Sequence, residues 1–113
     1  MRVLLAEDDP SLQSLFLRAL TEAGCLVETA ADGLELLRLG SSLTPDVVIS
    51  DIALPGCDGI RACSLLKAAK PGLRIILMTG DSNRARRARE AGFHQVLRKP
   101  FDLNELKRLV APS

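Results

Sequence analysis

The sequence is poor in residues on which many functional sites depend. Of its 113 residues, none is tryptophan or tyrosine, three are phenylalanine and one is histidine. A lone histidine cannot build a histidine-based metal site, and the scarcity of aromatic residues predicts a mostly aliphatic core. The three cysteines lack CxxC spacing, which indicates reduced, mostly buried thiols rather than a zinc site or a disulfide framework. They are Cys25, Cys57 and Cys63.

Long hydrophobic runs are also missing. No stretch approaches the roughly 20 apolar residues that a membrane-spanning helix needs, and the N-terminal segment turns acidic at Glu7, unlike a signal peptide. We therefore expect a cytoplasmic protein that does not contact a membrane. The length predicts one domain, residues 1–113, in which positions 111–113 are either its end or the start of a linker.

Charge is divided unevenly between the two halves of the chain. The net charge is only +1, but residues 1–56 carry 3 basic and 9 acidic residues, whereas residues 57–113 carry 12 basic and 5 acidic residues. This pattern predicts an acidic functional end and a basic surface formed by the later part of the chain.

Short apolar runs alternate with segments of helical periodicity. The first, third and fourth runs are almost continuously apolar, as expected of parallel strands covered on both faces. Five such β/α units predict a doubly wound α/β sandwich of the flavodoxin-like type, with a five-stranded parallel sheet in the order 2-1-3-4-5. The predicted strands are 3–6, 25–29, 47–50, 74–78 and 95–97; the predicted helices are 9–24, 32–39 with a stop at Gly40, 59–69, 82–91, and one from Asp102 onward.

Polar residues stand where the predicted strands end. Glu7 and Asp8 follow the first strand, Asp51 follows the third, Thr79 the fourth and Lys99 the fifth. Ligands of open α/β sheets bind at this carboxyl edge. Crowded carboxylates favour a hard divalent cation, lysine and threonine suit phosphoryl oxygens, and a carboxylate can itself accept a phosphoryl group. Each residue alone also fits a helix cap or a turn, but their joint placement favours a site.

Four segments closely resemble the receiver domain of two-component response regulators. They are Val3–Pro10, Asp51–Gly59 with its D-x-x-L-P-x-x-D-G pattern, Met78–Gly80 and Lys99–Phe101. Their order and spacing match over essentially the whole chain. By this resemblance, Asp51 is the phosphoacceptor in a reaction that depends on Mg²⁺.

The resemblance also implies a set of metal ligands. Asp8 would bind Mg²⁺ directly and Glu7 mainly through water, together with Asp51 and the backbone carbonyl of Ala53. Ala53 also argues against a second reading, an aspartyl-phosphate hydrolase, because such enzymes carry an acidic residue two positions after the nucleophile.

Thr79 and Lys99 would bind the phosphoryl oxygens, and the Lys99–Pro100 bond is expected to be cis. One position departs from the pattern. Many receivers carry an aromatic residue three positions before the lysine and use it as a rotamer switch, whereas this chain has Val96. Phosphorylation should survive this change, because position 96 is not a ligand. The usual conformational switch, however, would keep its threonine, Thr79, and lack its aromatic residue.

The function implied is that of a signalling phosphoacceptor rather than a turnover enzyme. It would take its phosphoryl group from a histidine kinase or a histidine phosphotransfer protein and change conformation to control a partner or output domain. A degenerate receiver that only binds other proteins is the alternative, and it depends on Val96 alone.

The fourth predicted helix is crowded with arginines, at positions 84, 86, 87 and 89. Two interpretations stay open: a solvated charged face, or a surface over residues 82–110 that docks an acidic partner, an output domain or a second copy of the chain. Direct nucleic-acid binding is not expected, since no aromatic residues interleave with the arginines.

Overall fold

The computed structural model describes residues 1–111; positions 112 and 113, which belong to the segment expected to be either the end of the domain or the start of a linker, lie outside this range. Strands and helices alternate along it, and no helix among these residues is long and apolar enough to cross a bilayer. The elements are β1 (Arg2–Ala6), α1 (Pro10–Glu22), β2 (Leu26–Ala30), α2 (Gly33–Ser42), β3 (Val47–Asp51), α3 (Gly59–Ala69), β4 (Arg74–Thr79), α4 (Ser82–Glu90), β5 (Val96–Arg98) and α5 (Leu103–Val110).

The five strands form one parallel sheet in the order β2-β1-β3-β4-β5, which confirms the predicted topology. β3 is central and all of its residues are buried. Its last residue, Asp51, is paired in register with Met78 of β4, and Thr79 of β4 is paired with Arg98 of β5. The strand ends therefore lie side by side at one edge of the sheet.

Successive side chains of a strand point to opposite faces of the sheet, and this alternation builds two apolar layers. Leu4 and Val48 belong to the layer under α2, α3 and α4. Val3, Leu5 and Ile49 belong to the layer under α1 and α5, where Phe16 and Leu106 cover them. Both layers are mostly aliphatic, as the composition predicts.

Every helix begins at an aspartate whose side chain accepts a hydrogen bond from a backbone N–H of the first turn. These caps satisfy donors that a helix N-terminus leaves without intrahelical partners. The capping residues are Asp9, Asp32, Asp58, Asp81 and Asp102.

The predicted end of the second helix is wrong. α2 continues through Gly40 to Ser42. Gly40 is buried against α3, and a Cβ atom at this position would lie 2.7 Å from the Leu66 methyl carbons. The glycine therefore allows close packing of α2 on α3 and does not terminate the helix.

The three cysteines are free, as predicted. Cys25 and Cys63 are buried, and Cys57 is half-buried. Burial raises the pKa of the Cys63 thiol to about 12, although a hydrogen bond with Ser50 partly opposes the shift. Cys63 is therefore a protonated core residue at neutral pH rather than a reactive thiol.

Candidate functional site

The carboxyl edge of the sheet collects the polar residues that follow the strands. Glu7 comes directly after β1, Asp51 and Thr79 are the last residues of β3 and β4, and Lys99 comes directly after β5. Adjacent parallel strands that end at this edge place the four residues in one crevice. Asp8 lies at its mouth, with an exposed side chain.

Three carboxylates form the acidic part of the site. One oxygen each from Glu7, Asp8 and Asp51 lies within 4.8 Å of the other two. Glu7 is 1% exposed and Asp51 is 8% exposed. Hard oxygen donors gathered this closely suit a divalent cation, so the donor set fits the metal that the sequence predicts.

Lys99 supplies the positive charge. Its Nζ atom donates hydrogen bonds to Glu7 Oε1 at 2.6 Å and to Asp51 Oδ2 at 2.7 Å. The same atom lies 5.9 Å from the centroid of the Phe16 ring, within the range of a cation–π contact. The bond from Lys99 to Pro100 is cis, as expected.

The pKa values of Glu7 and Lys99 reflect this mutual burial. Burial raises the pKa of Glu7, the hydrogen bond from Lys99 lowers it in part, and the Asp51 charge adds to the increase. For Lys99, burial lowers the pKa, but the hydrogen bonds to Asp51 and Glu7 outweigh it, so the net pKa is raised. Lys99 therefore stays charged at neutral pH and holds the two carboxylates together.

Asp51 and Thr79 have further hydrogen bonds that orient them. The Ala53 N–H donates to Asp51 Oδ1 at 2.9 Å, so both oxygens of Asp51 are held. The buried Thr79 hydroxyl oxygen accepts from the Asp81 N–H at 3.1 Å, which leaves the hydroxyl proton available to a ligand. The Lys99 N–H donates to the Thr79 carbonyl at 2.9 Å and keeps the ends of β4 and β5 together.

The loop after Asp51 is tightly confined by two glycines. A Cβ atom on Gly59 would lie 2.2 Å from the Asp51 carbonyl oxygen, and one on Gly33 would lie 1.7 Å from the Cys57 carbonyl oxygen. The Gly33 N–H also donates to Pro55 O at 3.0 Å. Only glycine lets α2 and α3 approach the loop this closely.

The sequence interpretation missed one polar residue of the site. Gln13 of α1 donates hydrogen bonds from Nε2 to Glu7 O at 3.0 Å and to Ala30 O at 3.4 Å. The available signal was its position: it stands one helical turn after the capping residue Asp9, which places it above the strand ends.

Val96 lies in β5 beside Leu77 of β4. It is half-buried and packs against the apolar layer under α2, α3 and α4. The position that carries an aromatic residue in many receivers is therefore a small aliphatic contact in this chain.

The arginine-rich segment forms α4, and its apolar contribution is small. Only Ala85 and Ala88 of the helix are buried. Arg87 Nη2 lies 3.1 Å from Asp58 Oδ2 at the start of α3, with the two side chains 53% and 40% exposed. The rest of the helix presents charge to solvent.

Comparison with known proteins covers nearly the whole chain. A family model described as the response regulator receiver domain matches residues 3–111. The DNA-binding transcriptional regulator NtrC of Escherichia coli strain K12 is 39% identical over 110 residues, which are 96% of this chain and 24% of that protein. The chain thus spans about a quarter of the length of the NtrC relatives that it matches.

Two solved structures are also similar. The response regulator protein TrrA from Thermotoga maritima, in complex with Mg(2+)-BeF, is 33% identical with a TM-score of 0.87, and the match covers 96% of this chain and 95% of that one. The receiver domain of sensor histidine kinase PA1611 from Pseudomonas aeruginosa PAO1, with magnesium coordinated in its active site cleft, is 31% identical with a TM-score of 0.86, and the match covers 96% and 92%.

Proposed function

This chain belongs to the response regulator receiver family, and from that premise we propose that Asp51 accepts a phosphoryl group from a phosphohistidine donor. The observation that carries the proposal is the position of its carboxylate. Asp51 ends the central strand and shares a crevice with Glu7, Asp8 and Lys99. The Asp51 side chain is 12% exposed, so its neighbours orient it while part of it stays accessible from solvent.

In the proposed reaction a carboxylate oxygen of Asp51 attacks phosphorus, the P–N bond of the donor breaks, and its electron pair stays on the imidazole nitrogen. Lys99 has three N–H donors, so it can keep Glu7 and turn another toward a phosphoryl oxygen. The Thr79 hydroxyl donates to a second oxygen. Ala53 holds the other oxygen of Asp51 through its N–H throughout.

Mg²⁺ is the proposed cofactor, held directly by the carboxylates of Asp8 and Asp51 and by the Ala53 carbonyl, and by Glu7 mainly through water. When bound it supplies positive charge to the phosphoryl oxygens during transfer. The proposal is supported by the clustered oxygen donors and by the magnesium in the TrrA and PA1611 structures.

The proposed donor is a histidine kinase or a histidine phosphotransfer protein, and the chain acts as a substrate that catalyses only its own phosphorylation and slow hydrolysis.

The proposed output is a conformational change that a partner, an output domain or a second copy of the chain recognises through residues 82–110. NtrC is described as a DNA-binding transcriptional regulator, and this chain matches 24% of its length. Direct nucleic-acid contact by this domain is not part of the proposal. A cytoplasmic location is part of it, supported by the three free thiols.

Treatment with acetyl phosphate and Mg²⁺, followed by mass spectrometry of the intact protein, tests the proposal. We expect the mass of one phosphoryl group to be added to the wild type and none to Asp51→Asn. Asp46→Asn is the matched control, because Asp46 is an aspartate at the opposite end of β3 that accepts a hydrogen bond from the Arg2 N–H. Its phosphorylation should equal that of the wild type.

A wild type that gains no mass would favour the alternative, a degenerate receiver that only binds partners. A gain that persists in Asp51→Asn would place the phosphoryl group on another residue. Either result would remove Asp51 as the phosphoacceptor.

A further inference from the structure

Gln13 connects α1 to the ends of two strands. Its Nε2 atom donates to the carbonyl oxygen of Glu7, after β1, and to that of Ala30, the last residue of β2. Since both neighbours are acceptors only, the amide nitrogen and not the amide oxygen must face them. The side chain is half-buried, so these bonds are partly shielded from water.

The hydrogen bond to the Glu7 carbonyl affects the next residue as well, because of the peptide unit to which this carbonyl belongs. It belongs to the peptide unit that joins Glu7 to Asp8, and this unit is planar. A hydrogen bond to its oxygen therefore restrains rotation of the whole plane, and with it the direction in which Asp8 leaves the strand. On the other side, the Glu7 N–H donates to Ala30 O at 3.0 Å, so Glu7 is held at both of its backbone polar groups.

The other acidic residues of this turn have restraints of their own. The Glu7 side chain is bonded to Lys99. Asp9 caps α1 by accepting from the backbone N–H groups of Ser11 and Leu12 at 2.9 and 3.1 Å. Asp8 is exposed, and its carboxylate nevertheless lies in the cluster with Glu7 and Asp51.

We propose that Gln13 is a positioning residue of the cation site. By holding the Glu7–Asp8 peptide plane, it keeps the Asp8 carboxylate within ligand distance of Glu7 and Asp51. This inference rests on the proposed function, since it assigns a role toward the divalent cation that the site would bind. Gln13 itself touches neither the cation nor the phosphoryl group.

The test compares Gln13→Leu with Ser14→Leu. The first variant removes the amide donor and keeps a side chain of similar size; the second places the same leucine on the adjacent, exposed position of α1. Isothermal titration calorimetry with Mg²⁺ alone gives the dissociation constant, and urea unfolding gives the stability. We expect Gln13→Leu to raise the Mg²⁺ dissociation constant roughly tenfold, the size of effect seen when a partner that orients a metal ligand is lost. Ser14→Leu should leave it unchanged.

A second readout separates positioning from a general structural role. The rate of phosphorylation by acetyl phosphate, measured at saturating Mg²⁺, should return to the wild-type value in Gln13→Leu, because Asp51, Thr79 and Lys99 are intact. An effect confined to apparent Mg²⁺ affinity and absent from the saturated rate is the signature of an interaction that only aims a ligand.

Gln13→Glu gives an independent check if the leucine variant folds poorly. Added negative charge near the cluster would by electrostatics alone tighten Mg²⁺ binding. Replacing the donor with an oxygen that faces two carbonyl oxygens would misalign the Glu7–Asp8 peptide and weaken binding. We expect weaker binding.

Two results would overturn the inference. Gln13→Leu could lose stability and still bind Mg²⁺ as the wild type does, in which case the contact is only a tie between α1 and the sheet. Alternatively, Gln13→Glu could bind more tightly, which would leave charge as the controlling factor. Failure of the wild type to bind Mg²⁺ would be a different outcome, because it removes the proposed cation site together with this role.

Discussion

The carboxyl edge of the sheet and helix α4 are both crowded with charged side chains, but the paired ones at the edge are largely buried and those on the helix are exposed. At the edge, Glu7 is 1% exposed and Lys99 binds it at 2.6 Å. On α4, the pair between Arg87 and Asp58 at 3.1 Å keeps 53% and 40% of its side chains exposed. The same kind of ion pair is therefore a fixed part of the fold at one place and a solvated contact at the other.

Burial explains the difference in energetic weight. An exposed ion pair contributes about 0.2–1 kcal/mol, because water and salt screen it and two long side chains must be ordered. Removing one partner of a buried pair costs several times more, because an uncompensated charge stays behind in a poorly solvated place. The carboxyl edge is thus sensitive to single changes, whereas α4 should tolerate them.

Packing follows the same division. The loop after Asp51 is confined by Gly33 and Gly59, where even a methyl group would overlap backbone atoms. α4 buries only Ala85 and Ala88. A rigid edge keeps reacting groups oriented. A helix that buries little apolar area can shift position at a lower cost in free energy.

Gly33→Ala should give the largest loss of stability. Its Cβ atom would meet the Cys57 carbonyl oxygen at 1.7 Å, so the loop after Asp51 must move, and we expect the free energy of unfolding to fall by about 3 kcal/mol. Urea denaturation measures it. Gly72→Ala is the control, because nothing lies within 4 Å of its Cβ position. A loss below about 1 kcal/mol in Gly33→Ala would mean that the edge is as tolerant as α4.

Lys99→Met should be next in size. It leaves Glu7 and Asp51 close together without a cation, and since the Lys99 side chain is 19% exposed, we expect a loss of about 2 kcal/mol in the presence of EDTA, less than for a fully buried pair. Lys107→Met is the control, because Lys107 pairs with Glu22 at the surface and its removal should lower the stability much less than Lys99→Met does.

The pH dependence of this loss has a defined sign. The pKa of Lys99 is raised, so its contribution is fully present below its ordinary pKa and is lost only as the pH rises through the raised value. The pKa of Glu7 is raised by burial, so lowering the pH protonates Glu7 early and removes one of the two repelling charges. The deficit of Lys99→Met should therefore shrink as the pH falls. A deficit that grows in acid would contradict this account.

The sequence predicts the carboxyl edge and the position of α4 well, but it predicts the packing between helices poorly, for physical reasons. Strand periodicity locates the ends of parallel strands, and neighbouring ends must meet, so Asp51, Thr79 and Lys99 could be placed together before any coordinates. The end of α2 could not be predicted in this way. A glycine at position 40 resembles a helix terminator, but it is there because α2 packs closely against Leu66 of another helix.

Two other contacts were not predicted because no strand end or helical period marks the residues that make them. The contact of Gln13 with Ala30 crosses 17 positions, and that of Arg87 with Asp58 crosses 29. Neither leaves a periodic pattern, because only the folded backbone brings such side chains together. The roles of the site residues remain predictions that the proposed experiments test.

The smallest expected effect concerns the Arg87–Asp58 pair, and it sharpens the comparison. Asp58→Asn retains a good helix cap, so it removes the charge while keeping the hydrogen bond to the Arg61 N–H that starts α3. A double-mutant cycle with Arg87→Met should give a coupling of about 0.5 kcal/mol, and ~1 M salt should abolish it. A salt-resistant coupling above about 1.5 kcal/mol would place this pair with the buried charges of the carboxyl edge. α4 would then be bound firmly to the loop after Asp51 rather than loosely packed beside it.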